Sequence, residues 1–512
     1  MLRKLFNLLS KKIVIISGLI LLQLFIFLGL ILVLSEYFVP IYFILVILSI
    51  AMSIYIINKN DNPSFKIIWI LFILAVPVFG GLIYLLFGGQ KVPKALRKRD
   101  LESYDLYHDE AGQNMEIMEL LEQEDSVAHK QARYLWKNAF YPIYQHTETT
   151  YFPIGEKKFE AMIEELKKAE RFIFLEYFII APGVMWNTIL EILIEKVKQG
   201  VEVRVMYDDF GCITYLPNDY YLILRKLGIK AKVFNPVKPR LAIQMNNRDH
   251  RKILVIDGKV AMTGGINLAD EYINEKERFG HWKDTSVMIK GEAVWNFTLM
   301  FLQFWNYDEE VRDNVYDYKA SEEELCDIQQ DGYVQPFSDS PTDEENVGEN
   351  THLNMINGAN KYVYMTTPYL VIDQEMKTAL LLAAKNGVDV RILTPHIPDK
   401  WYVFEVTRAN YRDLIAGGVK IYEYTPGFVH AKSFVADDKM AVVGTVNMDY
   451  RSYYLHYECG IWFYRSSVVM DVKKDFLATL EKSHQVTLEE CTEVSIFVRI
   501  LRAILYLFSP ML

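Results

Sequence analysis

The sequence predicts an α/β protein in which two pseudo-symmetric βα halves form one unit behind N-terminal transmembrane helices. Three observations predict this. Residues 250–267, HRKILVIDGKVAMTGGIN, and 430–447, HAKSFVADDKMAVVGTVN, share one polar spacing: His, Lys two on, Asp seven on, Gly fourteen on and Asn seventeen on. Short β-branched and aromatic runs alternate with amphipathic helical patterns in the same order ahead of each copy. The apolar residues, 51% of the 512, crowd into the first ninety positions.

Three apolar runs open the chain, at about 13–34, 37–57 and 67–87. Each approaches the roughly 20 residues that a helix needs to cross a bilayer core. The first is too long for a cleaved signal peptide and has no small-residue cleavage site after it. Arg3, Lys4, Lys11 and Lys12 precede the runs, and Lys91, Lys94, Arg97, Lys98 and Arg99 follow them. Basic flanks prefer the cytoplasm, and three full crossings cannot satisfy both ends. Either one run is re-entrant or interfacial, or one flank is overruled. Pro77, Gly80 and Gly81 could kink the third run, and Pro40 lies early in the second. The expectation is two to three membrane helices in a multi-pass cell-membrane protein. The larger basic cluster places the rest of the chain in the cytoplasm.

A net charge of −10 argues against a nucleic-acid partner, which needs basic surface to displace phosphate counterions. Cys212, Cys326, Cys459 and Cys491 form no C-x-x-C pair, so they read as isolated reduced thiols. The first half contains RFIFLEYFII, GVEVRVMYDD and LRKLGIKAKVF; the second contains KYVYMTTPYLV, MKTALLLAAKNGVDVRIL and YRDLIAGGVKIYEY. Glycines at the helix-to-strand turns mark βα units around a mostly parallel or mixed sheet.

Each shared segment reads as a strand, a tight turn at Asp257-Gly258 or Asp437-Asp438, and a returning strand. Period-two alternation puts His250 with Lys252, and His430 with Lys432, on one strand face. Asn267 and Asn447 follow the returning strands, after glycines that let a phosphate approach the backbone. Two histidines, two lysines and two asparagines suit phosphodiester chemistry without a metal. Lysines and amides hold the phosphoryl oxygens, one imidazole attacks phosphorus and the other moves the proton. Each imidazole needs a carboxylate to fix its tautomer, and Asp284 and Glu458 stand in strand-like segments downstream. Asp257 and Asp437 belong to the repeated motif and count with the catalytic set, yet their place at the turn reads as structural. No P-loop or dinucleotide fingerprint is present, so no cofactor is expected.

On these residues the chain resembles the phospholipase D superfamily, marked by a duplicated H-x-K-x4-D followed by G-[GST]-x-N. It is similar to the bacterial cardiolipin synthases in WILFILAVPVFGGLIYLLFG ahead of the motifs, GGINLADEY, TPYLV and the terminal FSPML. The first apolar run looks like an addition to that family's usual two. The resemblance implies two phospholipase D-like halves at 136–319 and 350–485. Around them it gives a membrane region at 1–90, a juxtamembrane linker at 91–135 and an acidic connecting segment at 320–349. An amphipathic membrane-interface helix at 486–512 closes the chain, with Arg499 and Arg502 on one face. A core helix closing the domain is the other reading of that last stretch.

The resemblance also implies phosphatidyl transfer between two phosphatidylglycerol molecules, with His250 as nucleophile and His430 as general acid and base. The near-symmetric sequence itself leaves those two roles open. A lipid-hydrolysing phospholipase D, a transferase using another headgroup alcohol and a catalytically dead membrane scaffold are the alternatives. Tyr369 and residues 401–406, WYVFEV, are candidates for an acyl or headgroup channel, or are ordinary core aromatics.

Overall fold

A computed structural model describes residues 25, 38–76, 80–88, 97–98, 110–236, 247–307, 309, 311–343 and 345–511. The chain divides into two compact units. One comprises Met1–Pro93 with Asn235–Asn246 and Met511; the other comprises Lys94–Phe234 and Asn247–Pro510 with Leu512.

The first unit contains α1 (Phe38–Ile57), α2 (Pro63–Ala75) and α3 (Gly80–Phe87). Asn62 caps α2 by accepting from the Ser64 amide, with Pro63 in the first turn. Ile56, Ile68, Ile73 and Tyr84 close a small core. The third apolar run is two helices rather than one. At Gly80 a Cβ would lie 2.6 Å from Ile73 Cα, so the bare glycine permits the close approach of α2 and α3. The first run, 13–34, lies outside the described residues apart from Phe25. Among the described residues no helix is long and apolar enough to cross a membrane. In α1 the described side chains begin only at Phe43.

The second unit is built on two sheets. The first half supplies β1 (Thr147–Phe152), β2 (Phe172–Tyr177), β3 (Glu202–Asp208), β4 (Lys230–Phe234), β5 (Lys252–Ile256), β6 (Val260–Gly264), a short β7 (His281–Lys283) and β8 (Ser286–Gly291). Their order is β1-β8-β6-β5-β2-β3-β4, with β7 outside the sheet. The second half supplies β9 (Tyr333–Asp339), β10 (Tyr362–Thr366), β11 (Leu370–Val371), β12 (Asp389–Pro395), β13 (Lys420–Tyr424), β14 (Gly427–Val429), β15 (Ser433–Ala436), β16 (Met440–Gly444), β17 (Met448–Asp449), β18 (Glu458–Tyr464) and β19 (Ser483–Gln485). Its main sheet runs β9-β18-β16-β15-β10-β12-β13-β19. The two orders coincide strand for strand, with β19 added at one edge. In each, three parallel strands sit beside the antiparallel hairpin that carries the repeated motif.

Alternation along β2 sorts its residues. Phe172 and Phe174 enter a core shared by both sheets, while Ile173, Leu175 and Tyr177 pack under the outer helices. The helix α4 (Val294–Asn306) is buried at every position, and its nine apolar residues enter the shared core.

Two segments read from sequence as connections are structured. The expected linker at 91–135 contains a helix, Met115–Glu124, and the start of another, Ser126–Lys137; Ile117, Leu121, Ala128 and Leu135 enter the second half's core. The expected connecting segment at 320–349 contains β9, which is buried along its length and bonds to β18. Its Pro336 and its polar residues conceal the strand, and an edge strand tolerates them.

Both hairpin turns form as expected. Asp257 and Gly258 have φ of 55° and 71°, and Asp437 and Asp438 have φ of 55° and 60°. These are the left-handed pairs that a tight hairpin turn needs. Asp257 accepts from the amides of Glu170, Arg171 and Phe172, each at 2.8 Å. Asp437 accepts from those of Asn360, Lys361 and Tyr362 at 2.7–2.9 Å. Each carboxylate thus ties its hairpin to the start of the neighbouring parallel strand. Asp437→Ala should remove three charge-assisted bonds and lower stability by about 2–3 kcal/mol, read as a lower thermal unfolding midpoint in detergent. An unchanged midpoint would refute this role.

Candidate active site

The histidines stand just before β5 and β15, at the ends nearest the other half. The backbone brings the halves together there. The His250 amide donates to the Tyr457 carbonyl at 2.9 Å, and the His430 amide donates to the Lys283 carbonyl at 2.7 Å. Short β14, leading into His430, also pairs in parallel with β7. Each accepting carbonyl belongs to the residue before a carboxylate of the opposite half. The result is crossed: His250 Nδ1 lies 2.9 Å from both Glu458 oxygens, and His430 Nδ1 lies 2.7 Å from Asp284 Oδ2. Asp284 and Glu458 are therefore the carboxylate neighbours that the sequence suggested, each serving the histidine of the other copy.

Lys252 donates to the His250 carbonyl at 2.6 Å, and Lys432 donates to that of His430. Both are buried. Burial pushes Lys252 down to about 8 and Lys432 to about 7, the charge of Lys252 adding to the fall at Lys432. Burial likewise pushes His250 down to about 3 and His430 to about 4, the latter also under the Lys432 charge. Both imidazoles are thus neutral at pH 7. Burial would raise the Glu458 carboxyl, but the His250 and His456 rings outweigh it and hold it below the usual carboxylate range.

The asparagines differ. Asn267 Oδ1 accepts from the Ile179 amide at 3.0 Å, and its Nδ2 donates to Tyr272 Oη at 2.7 Å. Tyr272 and Trp282 in turn pack against the His430 ring. Asn267 therefore positions an aromatic wall here. Asn447 has a buried side-chain oxygen with no hydrogen-bond partner among the described residues. Asp257 and Asp437 lie at the far ends of their strands, about five residues or roughly 17 Å along from the lysines. Tyr369 donates to Asp399 at 2.6 Å. In α5 (Trp401–Ala416), Val403 and Val406 are buried and Trp401 is exposed, as in an ordinary amphipathic helix.

Sequence reasoning missed two groups. Thr445 donates to Glu458 Oε2 at 2.5 Å. The equivalent residue is Gly265, where a Cβ would lie 2.0 Å from Asp284 Oδ1. One copy needs a hydroxyl there and the other needs an empty space. His456 lies with its Nδ1 3.7 Å from Glu458 Oε1 and its ring 5.5 Å from that of His250. Its place two residues before Glu458 was the available signal. His250, His456 and Glu458 bring one ligand atom each within 4.8 Å of one another, a donor set suited to a zinc-type ion. The expectation of no metal did not anticipate this cluster.

Two halves of one topology, each contributing a histidine and a lysine to one buried cluster, define a phospholipase D-like protein. A family profile described as "Cardiolipin synthase, PLD-like domain" matches residues 162–294 and 352–480, and one described as "Phospholipase_D-nuclease N-terminal" matches 47–89. The chain belongs to the cardiolipin synthase family. A protein from Streptococcus mutans, described as uncharacterized, is 46% identical over 90% of this chain and 100% of its own length. A cardiolipin synthase from Alkalihalophilus pseudofirmus is 35% identical over 90% of this chain and 92% of its own. The crystal structure of phosphatidylserine synthase from Haemophilus influenzae shares the fold, with a TM-score of 0.55 at 15% identity, over 74% of this chain and 97% of that one.

Gly265→Ala should displace the Asp284 carboxylate and cut lipid transfer at least about tenfold, while Thr445→Val, which removes the hydroxyl donor to Glu458, should cost about 1–2 kcal/mol of stability. Full transfer activity in Gly265→Ala would show that Asp284 tolerates displacement.

Proposed function

We propose that this chain is a phosphatidyltransferase that joins two phosphatidylglycerol molecules into cardiolipin and releases glycerol. The observation that carries the reading is the crossed pair of buried histidine–carboxylate contacts beside two buried lysines. His250 attacks the phosphorus of one phosphatidylglycerol with its Nε2, since Nδ1 is held by Glu458. The P–O bond to glycerol breaks and a phosphohistidine forms. His430 gives a proton to the departing glycerol oxygen, then takes one from the hydroxyl of the second phosphatidylglycerol, which attacks phosphorus and frees His250. The incoming phosphodiester anion stabilises the imidazolium that His430 must become. Lys252 and Lys432 hold the non-bridging oxygens, and the side-chain NH2 of Asn447 donates alongside them. Glu458 and Asp284 orient the rings and stabilise the charge on them. The assignment of nucleophile to His250 follows the family pattern, and its Glu458 contact through both oxygens supports it.

The membrane reading complements this. The apolar runs before residue 90 hold the enzyme in the cell membrane, with the larger basic cluster and the catalytic unit on the cytoplasmic side. The C-terminal stretch lies in the membrane interface.

Purified full-length protein in phosphatidylglycerol vesicles with chelator should give cardiolipin and glycerol in equal amounts. Phosphatidic acid as the main product would assign the protein to the hydrolases, and loss of all products with chelator would make the His250–His456–Glu458 cluster a required metal site. His250→Ala and His430→Ala should each lose at least about a thousandfold, and Asp284→Asn and Glu458→Gln about a hundredfold or more. Near-wild-type rates in either histidine variant would reject the mechanism.

The lysines predict a pH dependence. Their protonated forms bind the phosphodiester, and their lowered pKa values place the loss of charge near 7–8. kcat/KM should therefore fall as pH rises through that range. A profile flat to pH 9 would mean that the free enzyme keeps both lysines charged.

A further inference from the structure

We infer that the cleft between α5 and the C-terminal helix α6 (Ile496–Leu507) is a second lipid site, which takes the phosphodiester headgroup of an anionic phospholipid still held in the bilayer. This rests on the reading of the chain as a membrane-bound phospholipid transferase and adds a site apart from the catalytic histidines.

The helix α6 has two faces. Ile496, Phe497, Ile500 and Ile504 recur at helical spacing and are 51–80% exposed. Arg499, Arg502 and Tyr506 lie on the other face and line a cavity of about 450 Å³ together with Lys377, Arg408 and Arg412. The polar face is thus turned onto the protein and the apolar face outward, the reverse of a helix facing water. A bilayer stabilises that arrangement, because the exposed isoleucines and phenylalanine enter its acyl region.

The charge of the cleft identifies what lies beneath that face. Five cations line it, against one carboxylate, Asp413. Three cations are already committed: Lys377 to Asp413 at 2.5 Å, Arg408 to Glu423 at 2.8 Å and Arg502 to Glu405 at 2.7 Å. Among the described residues Arg412 and Arg499 have no carboxylate partner, and the Arg499 guanidinium donates to the Thr492 carbonyl alone. Both are exposed. Two uncommitted guanidinium groups on a protein of net charge −10 are a local excess that suits one phosphodiester, which each can grip through two N–H bonds. The cleft has room for a headgroup, and the acyl chains of that lipid continue along the apolar face of α6 into the membrane. The site recognises the anionic lipid surface on which the substrate resides. Binding there is non-covalent.

The test uses full-length protein in phosphatidylcholine–detergent micelles, with backbone hydrogen exchange followed over residues 488–508. Adding phosphatidylglycerol or phosphatidylserine should slow exchange there by about threefold or more, and further phosphatidylcholine or inorganic phosphate should not. Arg412→Gln with Arg499→Gln should abolish the protection while leaving exchange in β5 and β15 unchanged. Protection that survives in that double variant, or that appears equally with phosphatidylcholine, would overturn the headgroup site. Equal protection by inorganic phosphate would show a free-anion site and overturn the lipid assignment. His250→Ala protein, unable to turn over, should give the same protection. Lipid protection in a wild-type protein that makes no cardiolipin would therefore leave this site standing and reject only the transfer reading.

Discussion

Two backbone hydrogen bonds between the halves organise everything else in the site. The amides of His250 and His430 donate to the carbonyls of Tyr457 and Lys283, and each acceptor is followed by the carboxylate that the histidine needs. The consequence is reciprocal. Neither half has a complete histidine–carboxylate pair of its own, so the site exists only when both sheets dock. Docking is driven by the shared apolar core around α4 rather than by the polar residues. That division suits the energetics. Bringing charges together out of water roughly breaks even at best, whereas burying aromatic and aliphatic surface is favourable without fine geometry. The core supplies the stability and fixes the positions, and the ion pairs then form where the backbone has placed them.

The duplication is close in backbone and broken in side chains, and the breaks fall at the site. One histidine has a glutamate and the other the shorter aspartate. Thr445 supports the first carboxylate, while Gly265 leaves room for the second. Tyr272 and Trp282 wall in His430, whereas His456 and Phe178 flank His250. Two chemically identical imidazoles thus acquire different surroundings. A two-step transfer needs this, because one ring bonds to phosphorus while the other moves protons.

The order of elements was legible because each half obeys the simple periods. The parallel strands β2 and β10 are buried throughout and mostly apolar, His-x-Lys leads into each motif hairpin, and Asp-Gly or Asp-Asp fixes the turn. The seven-residue spacing from His to Asp is also explained: it is the length of the strand between the active end and the turn that anchors it. The partners of the histidines were legible as residues but not as pairs. Nothing in a linear pattern says that Glu458 serves His250 across 208 positions. The edge strand β9 was hidden by Pro336 and its acidic surroundings, and the helix starting at Met115 by its charged flanks. Asn267 is spaced as Asn447 is, but its contacts, Tyr272 and the Ile179 amide, come from outside the motif and no linear pattern gives them.

Burial also bears on which acceptor wins the second step. His250 and His430 are only 8% and 7% exposed, and their lysines less still. The His250 ring packs against Phe178 and the His430 ring against Tyr272 and Trp282, aromatic faces that give water few partners. Water, at about 55 M in bulk, would otherwise outcompete a lipid hydroxyl by concentration alone, so transfer requires that the site keep it out until the second substrate arrives. The same dryness lowers the pKa of the lysines, because no solvent shares their charge. An incoming phosphodiester replaces that missing solvation with an anion, so the lysines bind most strongly the one group the reaction uses. Exclusion of water and selection of a phospholipid are then two results of one physical fact, the burial of His250, Lys252, His430 and Lys432 together.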